Sequence, residues 1–301
     1  MTHFLASPRF NSPLSFLFSV LNLIQFSNRP CVSAGDFLFA LQKNLKGDMT
    51  MTPTRPPGRV ETLNGQELYF EVHRTGEPLL LLHGFSGSSQ DWVASLEQWG
   101  MKFQFILPDL RGHGRSGILS KHFRHDDAAI DMFALLDNLG IRTCKGVGIS
   151  AGGNVLLHMA TKQAHRITAM VLVSATPYFP AEARVIMNQY SDTLPEQQWE
   201  ILRRRHAGGH SQIKAILAST KSFATSYDDL NFTPPLLSTI QARTFIVQGD
   251  RDPLYPVELS IEMAKAIPNS RLWIVPNAGH GPVLGPRWPE FQQTACAFLQ
   301  E

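Results

Sequence analysis

Hydrophobic and polar positions follow two different periods along the chain from about residue 60 onwards. Residues 79–82 are an uninterrupted run of leucine, which is typical of a strand buried on both faces of a sheet. Residues 127–139 carry apolar side chains at the helical spacing and are followed by Gly140, which predicts a helix that ends there. Asn64 and Gly65 separate two strand patterns and predict a tight hairpin turn.

The predicted elements form a hairpin followed by a regular alternation of strands and helices. This order predicts an α/β fold with a mostly parallel sheet and helices on both of its faces. The predicted strands are 60–63, 67–73, 79–82, 103–107, 144–149, 169–173, 244–247 and 271–275, and the predicted helices are 92–99, 127–139, 151–163, 257–267 and 288–299.

About seventy residues without a strand pattern lie between the strands that end near Val173 and begin near Thr244. Their apolar residues recur at helical spacing, and an insertion of this length in a compact domain is usually functional or a subdomain. We therefore predict a helical lid, about residues 176–241, over the carboxyl edge of the sheet. Trp199 and Tyr190 are the aromatic residues that we expect to shape a pocket beneath it.

Composition indicates a globular protein that does not bind nucleic acid. The chain has 301 residues, of which 43% are hydrophobic and 17% are charged, and its formal net charge is +2. Its three cysteines, Cys31, Cys144 and Cys296, are too widely spaced for a disulfide framework or a zinc site. His206 and His210 are separated by two glycines, which argues against a helical metal-binding pair. We predict no cofactor and no metal.

Residues 1–57 are predicted to be an extension that precedes a single domain at 58–301, because residues 51–57 are rich in proline. Native translation starting at Met49 or Met51 is one interpretation, a secretory signal is a second, and a docked N-terminal element is a third. The apolar run at 14–26 is too short and too often interrupted to span a bilayer as a helix. We expect a cytoplasmic protein, or an exported one if residues 1–34 act as a signal peptide.

The sequence Gly148-Ile149-Ser150-Ala151-Gly152 lies between a predicted strand and a predicted helix. A Gly-x-Ser-x-Gly at such a turn is typical of a nucleophile elbow, in which the serine has a strained backbone and an exposed hydroxyl. Glycines on both sides allow the strand and the helix to approach the turn closely. This pattern predicts that Ser150 is a nucleophile.

A serine hydroxyl needs a base to take its proton and an acid to orient that base. Two later loops supply both residue types: residues 248–253 contain Asp250 and Asp252, and residues 277–281 contain His280 between glycines. Both loops follow strands, so they should lie at the same carboxyl edge of the sheet as Ser150. The residues alone leave both aspartates open as the acid.

These loops, together with His83-Gly84-Phe85 and residues 109–116 (Asp-Leu-Arg-Gly-His-Gly-Arg-Ser), make the sequence resemble the α/β-hydrolase superfamily from about residue 60 to the end. It is most similar to the small, lidded esterase and lactonase branch. The resemblance implies an eight-stranded sheet, with His83 and His113 bracing loops. It also implies Ser150 as nucleophile, Asp252 as acid, His280 as base, and the backbone N–H groups of Phe85 and Ala151 as the oxyanion hole.

The function that this resemblance implies is hydrolysis of a small-molecule ester, lactone or thioester through an acyl-enzyme intermediate. An acyltransferase, a C–C bond hydrolase or a perhydrolase would keep the same triad, and a non-catalytic receptor would keep the fold. The residues at 112–117 match G-x-G-x-x-G, but no helix begins directly after them, which argues against a dinucleotide site. The basic run at 203–206 fits either a landing site for an anionic substrate or a solvated helix face.

Overall fold

The computed structural model describes residues 58–93, 96–97, 99, 102–189 and 194–301 of the chain. The predicted N-terminal extension at 1–57 and the predicted pocket residue Tyr190 lie outside these ranges. None of the helices within them has the length and apolar content that crossing a membrane requires.

An eight-stranded sheet forms the centre of the described domain and confirms the predicted α/β fold. Its strand order is β1-β2-β4-β3-β5-β6-β7-β8. β2 pairs antiparallel with β1 and β4, and all the other pairs are parallel. The strands are β1 (Arg59–Leu63), β2 (Gln66–His73), β3 (Glu77–Leu82), β4 (Phe103–Pro108), β5 (Cys144–Ile149), β6 (Ile167–Val173), β7 (Arg243–Gly249) and β8 (Ser270–Val275).

The predicted hairpin turn joins β1 to β2. Asn64 and Gly65 have φ values of 53° and 73°, and positive φ at both central residues is the requirement of a type I′ turn. Leu63 is therefore paired directly with Gln66 across the turn.

The helices agree with the predicted alternation, with one exception. The helix expected at 92–99 is wrong in its bounds, because the structure has a single helical turn at Gln90–Val93 followed by turn residues at 96, 97 and 99. The helices are α1 (Gln90–Val93), α2 (His125–Asn138), α3 (Ala151–Lys162), α4 (Ala181–Asn188), α5 (Glu196–Arg205), α6 (Gly209–Ser222), α7 (Pro234–Leu237), α8 (Val257–Ala266) and α9 (Trp288–Gln300).

The leucine run of β3 separates two hydrophobic cores, one on each face of the sheet. Leu80 and Leu82 pack into the core that contains residues of α2, α3 and α8. Leu79 and Leu81 pack into the core that contains residues of α1 and α9. Successive side chains of a strand point to opposite faces, so a strand covered on both sides must be apolar at every position.

The segment between β6 and β7 forms α4, α5, α6 and α7. Phe179 and Phe223 in this segment belong to the main core against α2 and α3. Leu202, Ile213 and Leu217 form a separate small cluster between α5 and α6. The segment therefore has an outer part with its own apolar contacts and an inner part that packs on the sheet domain.

Candidate active site

Ser150 lies at the junction of β5 and α3, with φ 52° and ψ −113°. This conformation is rare for a residue with a Cβ, and the surrounding structure must hold it in place. One such restraint is the Ser150 N–H, which donates to the Val173 carbonyl oxygen at 2.7 Å. The strained strand-to-helix turn matches the elbow expected from the sequence.

The glycines on either side of Ser150 are required by close backbone packing. A Cβ on Gly148 would lie 2.4 Å from the carbonyl carbon and oxygen of Gly152. A Cβ on Gly152 would lie 2.4 Å from the Leu82 carbonyl oxygen. Real Cβ contacts are longer, so any larger residue at either position would force the helix away from the sheet.

The structure brings His280 between Ser150 and Asp252. The Ser150 hydroxyl donates to His280 Nε2 at 2.9 Å, and His280 Nδ1–H donates to Asp252 Oδ2 at 2.8 Å. An ionised carboxylate can only accept, which assigns the ring proton to Nδ1 and leaves the Nε2 lone pair facing the serine. Asp252 and His280 are each 7% exposed.

Asp252 and Asp250 have different partners, which separates the two aspartates that the sequence left open. Besides His280, Asp252 accepts the backbone N–H groups of Leu254 at 2.8 Å and Tyr255 at 3.1 Å. Asp250 instead accepts the Ala278 N–H at 3.2 Å, in the loop that carries His280. The structure therefore places Asp252 on the histidine and Asp250 on the loop backbone.

Three residues that support this arrangement were not singled out from the sequence. Gln248 donates its side-chain amide to Asp252 Oδ2 at 2.9 Å. Ser174, at φ 50°, accepts the Gly281 N–H on its hydroxyl at 3.2 Å. A Cβ on Gly249 would lie 2.3 Å from the Ala278 carbonyl oxygen, so the two loops touch there. Their positions at the ends of β6 and β7 are the only sign of them in the sequence, and these positions do not reveal their partners.

The loop after β3 lies directly against the elbow. A Cβ on Gly84 would be 3.5 Å from the Ile149 carbonyl oxygen and 3.8 Å from Ser150 Cβ. No hydrogen bond within the described ranges uses the N–H of the next residue, Phe85. Ala151 is the first residue of α3, where N–H groups have no partner inside the helix. Both N–H groups are therefore available near the serine hydroxyl.

His83 braces this loop, as the resemblance implies. Its Nδ1–H donates to the Gly84 carbonyl oxygen at 2.8 Å, and its Nε2 accepts the Leu110 N–H at 3.0 Å. Burial lowers the pKa of His83 and holds the pKa of His113 well below its usual value, so both rings are neutral. The His113 ring makes an edge contact with Phe85 at a centroid distance of 4.8 Å.

Aromatic rings connect Phe85 to His280 on the side of the 176–241 segment. Phe85 contacts Phe223 at a centroid distance of 5.0 Å, and Phe223 contacts Phe179 at 5.3 Å. Tyr255 continues the series, 6.4 Å from Phe179 and 5.2 Å from His280. We call these five rings the aromatic arc. One end is Phe85, in the loop that lies against the elbow, and the other end is His280, which contacts Ser150.

Trp199 has a different environment from the one expected. Its ring stacks on His210 at a centroid distance of 4.6 Å and packs against the cluster between α5 and α6. The aromatic residues that the segment contributes to the aromatic arc are Phe179 and Phe223, and Trp199 is not one of them. The choice between these aromatic residues depends on how the helices dock, which their spacing along the chain does not reveal.

The basic run at the end of α5 is engaged in ion pairs. Arg203 pairs with Glu196 and Arg204 with Glu200, all on the exposed face of their own helix. Arg205 pairs with Asp91 of α1 at 2.8 Å. These contacts support the solvated-face interpretation for Arg203 and Arg204.

Within the part of the chain that the structure describes, the candidate metal-binding and nucleotide-binding residues have other environments. The described residues contain no cluster of three or more His, Cys, Asp or Glu side chains that could hold a metal ion. The glycines at 112–117 do not open a helix, since α2 begins at His125. A Cβ on Gly114 would lie 2.2 Å from the Asp109 carboxyl group, so this glycine is explained by loop packing.

The sheet is mostly parallel, and three features lie at its carboxyl edge. They are the strained serine turn, the acid loop (residues 248–253) and the histidine loop (residues 277–281). This combination is typical of the α/β-hydrolase type of domain. Residues 79–289 match the model of the Alpha/beta hydrolase family. The chain belongs to this family.

Individual relatives have different activities. The chain is 29% identical to a non-heme haloperoxidase of Rhodococcus erythropolis, with 74% of this chain and 92% of the relative covered. It is 25% identical to a pimeloyl-[acyl-carrier protein] methyl ester esterase of Nitrosomonas europaea, with 76% and 97% covered. A thermophilic esterase from Thermogutta terrifontis is similar in structure, with a TM-score of 0.67, 25% identity, and 81% and 98% covered.

Proposed function

We propose that the protein is a serine hydrolase that cleaves a carboxylic ester, lactone or thioester through an acyl-enzyme intermediate. The observation that carries this proposal is the position of His280, whose two ring nitrogens lie 2.9 Å from Ser150 Oγ and 2.8 Å from Asp252 Oδ2. A base in this position can take the serine proton while the carboxylate stabilises the resulting imidazolium.

In the first half of the proposed reaction, Ser150 Oγ attacks the substrate carbonyl carbon as its proton passes to His280 Nε2. The carbonyl oxygen becomes negatively charged and is bound by the N–H groups of Phe85 and Ala151. Such donors stabilise charge that is present only in the transition state and the intermediate. His280 then gives the proton to the leaving oxygen or sulfur, which departs and leaves an acyl group on Ser150.

In the second half, His280 takes a proton from a water molecule whose oxygen attacks the acyl carbonyl carbon. The same two N–H groups bind the oxyanion. When the bond to Ser150 Oγ breaks, His280 returns the proton to that oxygen. The products are a carboxylic acid and the free enzyme, so no cofactor is consumed.

The aromatic arc supports an uncharged, apolar acyl group as the part of the substrate bound next to Ser150. Phe179 and Phe223 are contributed by the 176–241 insertion, which we propose acts as a lid within the domain at 58–301. Both are nearly fully buried. An apolar wall excludes water and disfavours a charged acyl group, because burying an unpaired charge is costly. A small neutral ester or lactone fits this environment.

Labelling with a fluorophosphonate and burst kinetics on a p-nitrophenyl ester test the proposal. Ser150→Ala should abolish both, because the acylated atom is removed. Ser260→Ala is the matched control: its hydroxyl is buried in α8 without a hydrogen-bond partner among the described residues, so its loss should leave labelling unchanged. Undiminished turnover in Ser150→Ala would contradict the proposal.

The cytoplasmic location remains a prediction that cell fractionation can check.

A further inference from the structure

The turn that carries Phe85, residues 84–87, is held in place by residues outside the turn. Ser86 has a φ of 60°, a left-handed conformation that residues other than glycine adopt rarely. The Gly87 N–H closes the turn by donating to the Gly84 carbonyl oxygen at 3.0 Å. One hydrogen bond across a turn with an unfavourable residue does not fix its orientation, so neighbouring groups must contribute.

Asp91 is one of the neighbours that restrain this turn. Its carboxylate accepts the Ser88 N–H at 3.2 Å. A Cβ on Gly87 would lie 2.5 Å from Asp91 Oδ2, so the carboxylate rests directly against the turn. A shift of Asp91 would therefore move the backbone two residues after Phe85.

Arg205 holds the Asp91 carboxylate with both ends of its guanidinium group. The Nη2 atom lies 2.8 Å from Oδ1 and the Nη1 atom lies 3.1 Å from Oδ2. The two side chains are 13% and 18% exposed, and a shielded two-point contact of this kind is stronger and more directional than an exposed pair. Arg204, the preceding residue, is 74% exposed and pairs within its own helix.

The helix end that carries Arg205 is itself fixed. The next residue, His206, accepts the Gly114 N–H on Nδ1 at 2.9 Å, and the Ala207 N–H donates to the Gly114 carbonyl oxygen at 2.9 Å. Burial lowers the pKa of His206 to about 3, which keeps the ring neutral and able to accept this bond. Arg205 therefore extends from a rigid anchor.

We infer that Arg205 is a positioning residue: through Asp91 it holds the turn at 84–87 so that the Phe85 N–H points at the oxyanion. The inference rests on the proposed function. It means that the 176–241 insertion supports the chemistry as well as covering the site, because one of its side chains fixes a donor that lies in a different loop.

The test is a comparison of Arg205→Gln with Arg204→Gln, which removes the adjacent, exposed arginine. Removing an oxyanion donor outright costs about 10²–10³-fold in kcat, and loosening one should cost less, about tenfold. Arg205→Gln should therefore lower kcat about tenfold with little change in KM, which is the pattern of an interaction made only in the transition state. Arg204→Gln should stay within about twofold of the wild type.

Phenylboronic acid provides a second readout, because its tetrahedral adduct on Ser150 places a charged oxygen in the same hole. Its affinity should fall in Arg205→Gln by about the same factor as kcat. Arg205→Lys, which keeps the charge but loses the two-point contact, should recover part of both losses. Asp91→Asn breaks the contact between Arg205 and Asp91 by changing the carboxylate instead. It should give the same loss of kcat and of boronate affinity, and it replaces Arg205→Gln as the test if that variant does not fold.

Two outcomes separate this inference from the proposed function. If the wild type forms the boronate adduct but hydrolyses no ester, lactone or thioester, the proposed function fails, and boronate affinity still tests the link between Arg205 and the turn. If the wild type is active while Arg205→Gln and Asp91→Asn keep kcat and boronate affinity and lose only melting temperature, the pair is structural. That result would overturn the inference.

Discussion

Asp252 and His280 meet through one hydrogen bond of 2.8 Å between Oδ2 and Nδ1–H, although 28 positions separate them in the sequence. Asp250, two residues before Asp252, is directed instead to the backbone of Ala278. The two carboxylates of this loop thus have different tasks: one orients an imidazole ring and the other fixes the loop that carries it.

Replacing these two carboxylates separately should give very different rates. Asp252→Asn removes the acceptor that keeps the His280 proton on Nδ1, and loss of the correct tautomer lowers kcat by about 10⁴-fold in a serine triad. Asp250→Asn keeps an oxygen that can accept the Ala278 N–H, so its kcat should fall far less. Steady-state kinetics on one ester measures both. Equal losses would mean that the ring is not oriented by Asp252.

The aromatic arc predicts which substitutions change acyl-group preference. Phe179→Leu replaces a ring of the arc by a smaller apolar side chain, so the ratio of kcat/KM for bulky against short acyl esters should rise several-fold. Trp199→Leu lies in the outer cluster and should lower the melting temperature without altering that ratio. A series of p-nitrophenyl esters together with thermal melts measures both. If Trp199→Leu changed the preference and Phe179→Leu did not, the pocket would lie elsewhere under the insertion.

The contact between the acid loop and the histidine loop predicts a difference between two glycines. In Gly249→Ala the new Cβ would lie 2.3 Å from the Ala278 carbonyl oxygen and 2.4 Å from the Gly279 carbonyl oxygen, so the loops must separate. In Gly279→Ala the nearest atom, the Arg251 carbonyl oxygen, is 3.8 Å away, which is ordinary contact. Under the proposed function, Gly249→Ala should lose most of the turnover of p-nitrophenyl esters while Gly279→Ala keeps it. Similar activities would show that the loops yield without moving His280.

We predict that the protein loses stability in mild acid because the pKa of the buried His158 is lowered. Burial lowers its pKa to about 4 although the nearby Asp229 and Asp126 act to raise it and His125 acts to lower it further. Between the unfolded value near 6.5 and about 4, the unfolded chain binds a proton that the folded chain does not, so the free energy of unfolding falls as the pH falls. The slope for one such proton is about 1.4 kcal/mol per pH unit at its steepest.

Urea unfolding at several pH values between 4 and 7 measures that slope. His158→Gln removes the titrating ring and keeps an amide N–H that can donate to the Asp229 carbonyl oxygen, which His158 Nε2–H contacts at 2.7 Å. The variant should therefore have a shallower slope over this window than the wild type. Identical slopes would assign the acid sensitivity to other groups.

The sequence predicted most of the fold because its signals were local. The leucines of β3, the Asn64-Gly65 turn and the glycines around Ser150 each specify a backbone that few other conformations satisfy. The short α1 was predicted too long, because Trp92 and Trp99 are both buried in the core beside the sheet and apolar spacing alone does not distinguish a helix from successive turns.

Residue roles that depend on docking could not be predicted from the sequence. Arg203, Arg204 and Arg205 are consecutive and chemically identical, and only the position of Arg205 at the end of α5 directs it to another element. Ser174 and Gln248 likewise belong to no local motif. Their roles follow from the parallel arrangement of β6 and β7, which brings the ends of distant strands together.

The strand order has a consequence for how activity is acquired during folding. Ser150 follows β5 in the middle of the sheet, whereas His280 follows β8, which pairs with β7 at the edge and is the last strand in the chain. An intermediate in which β1 to β7 have paired would hold the strained serine without His280 beside it. Reaction with a fluorophosphonate should therefore appear late in refolding, with the docking of β8, and its rate would report that final step of chain assembly.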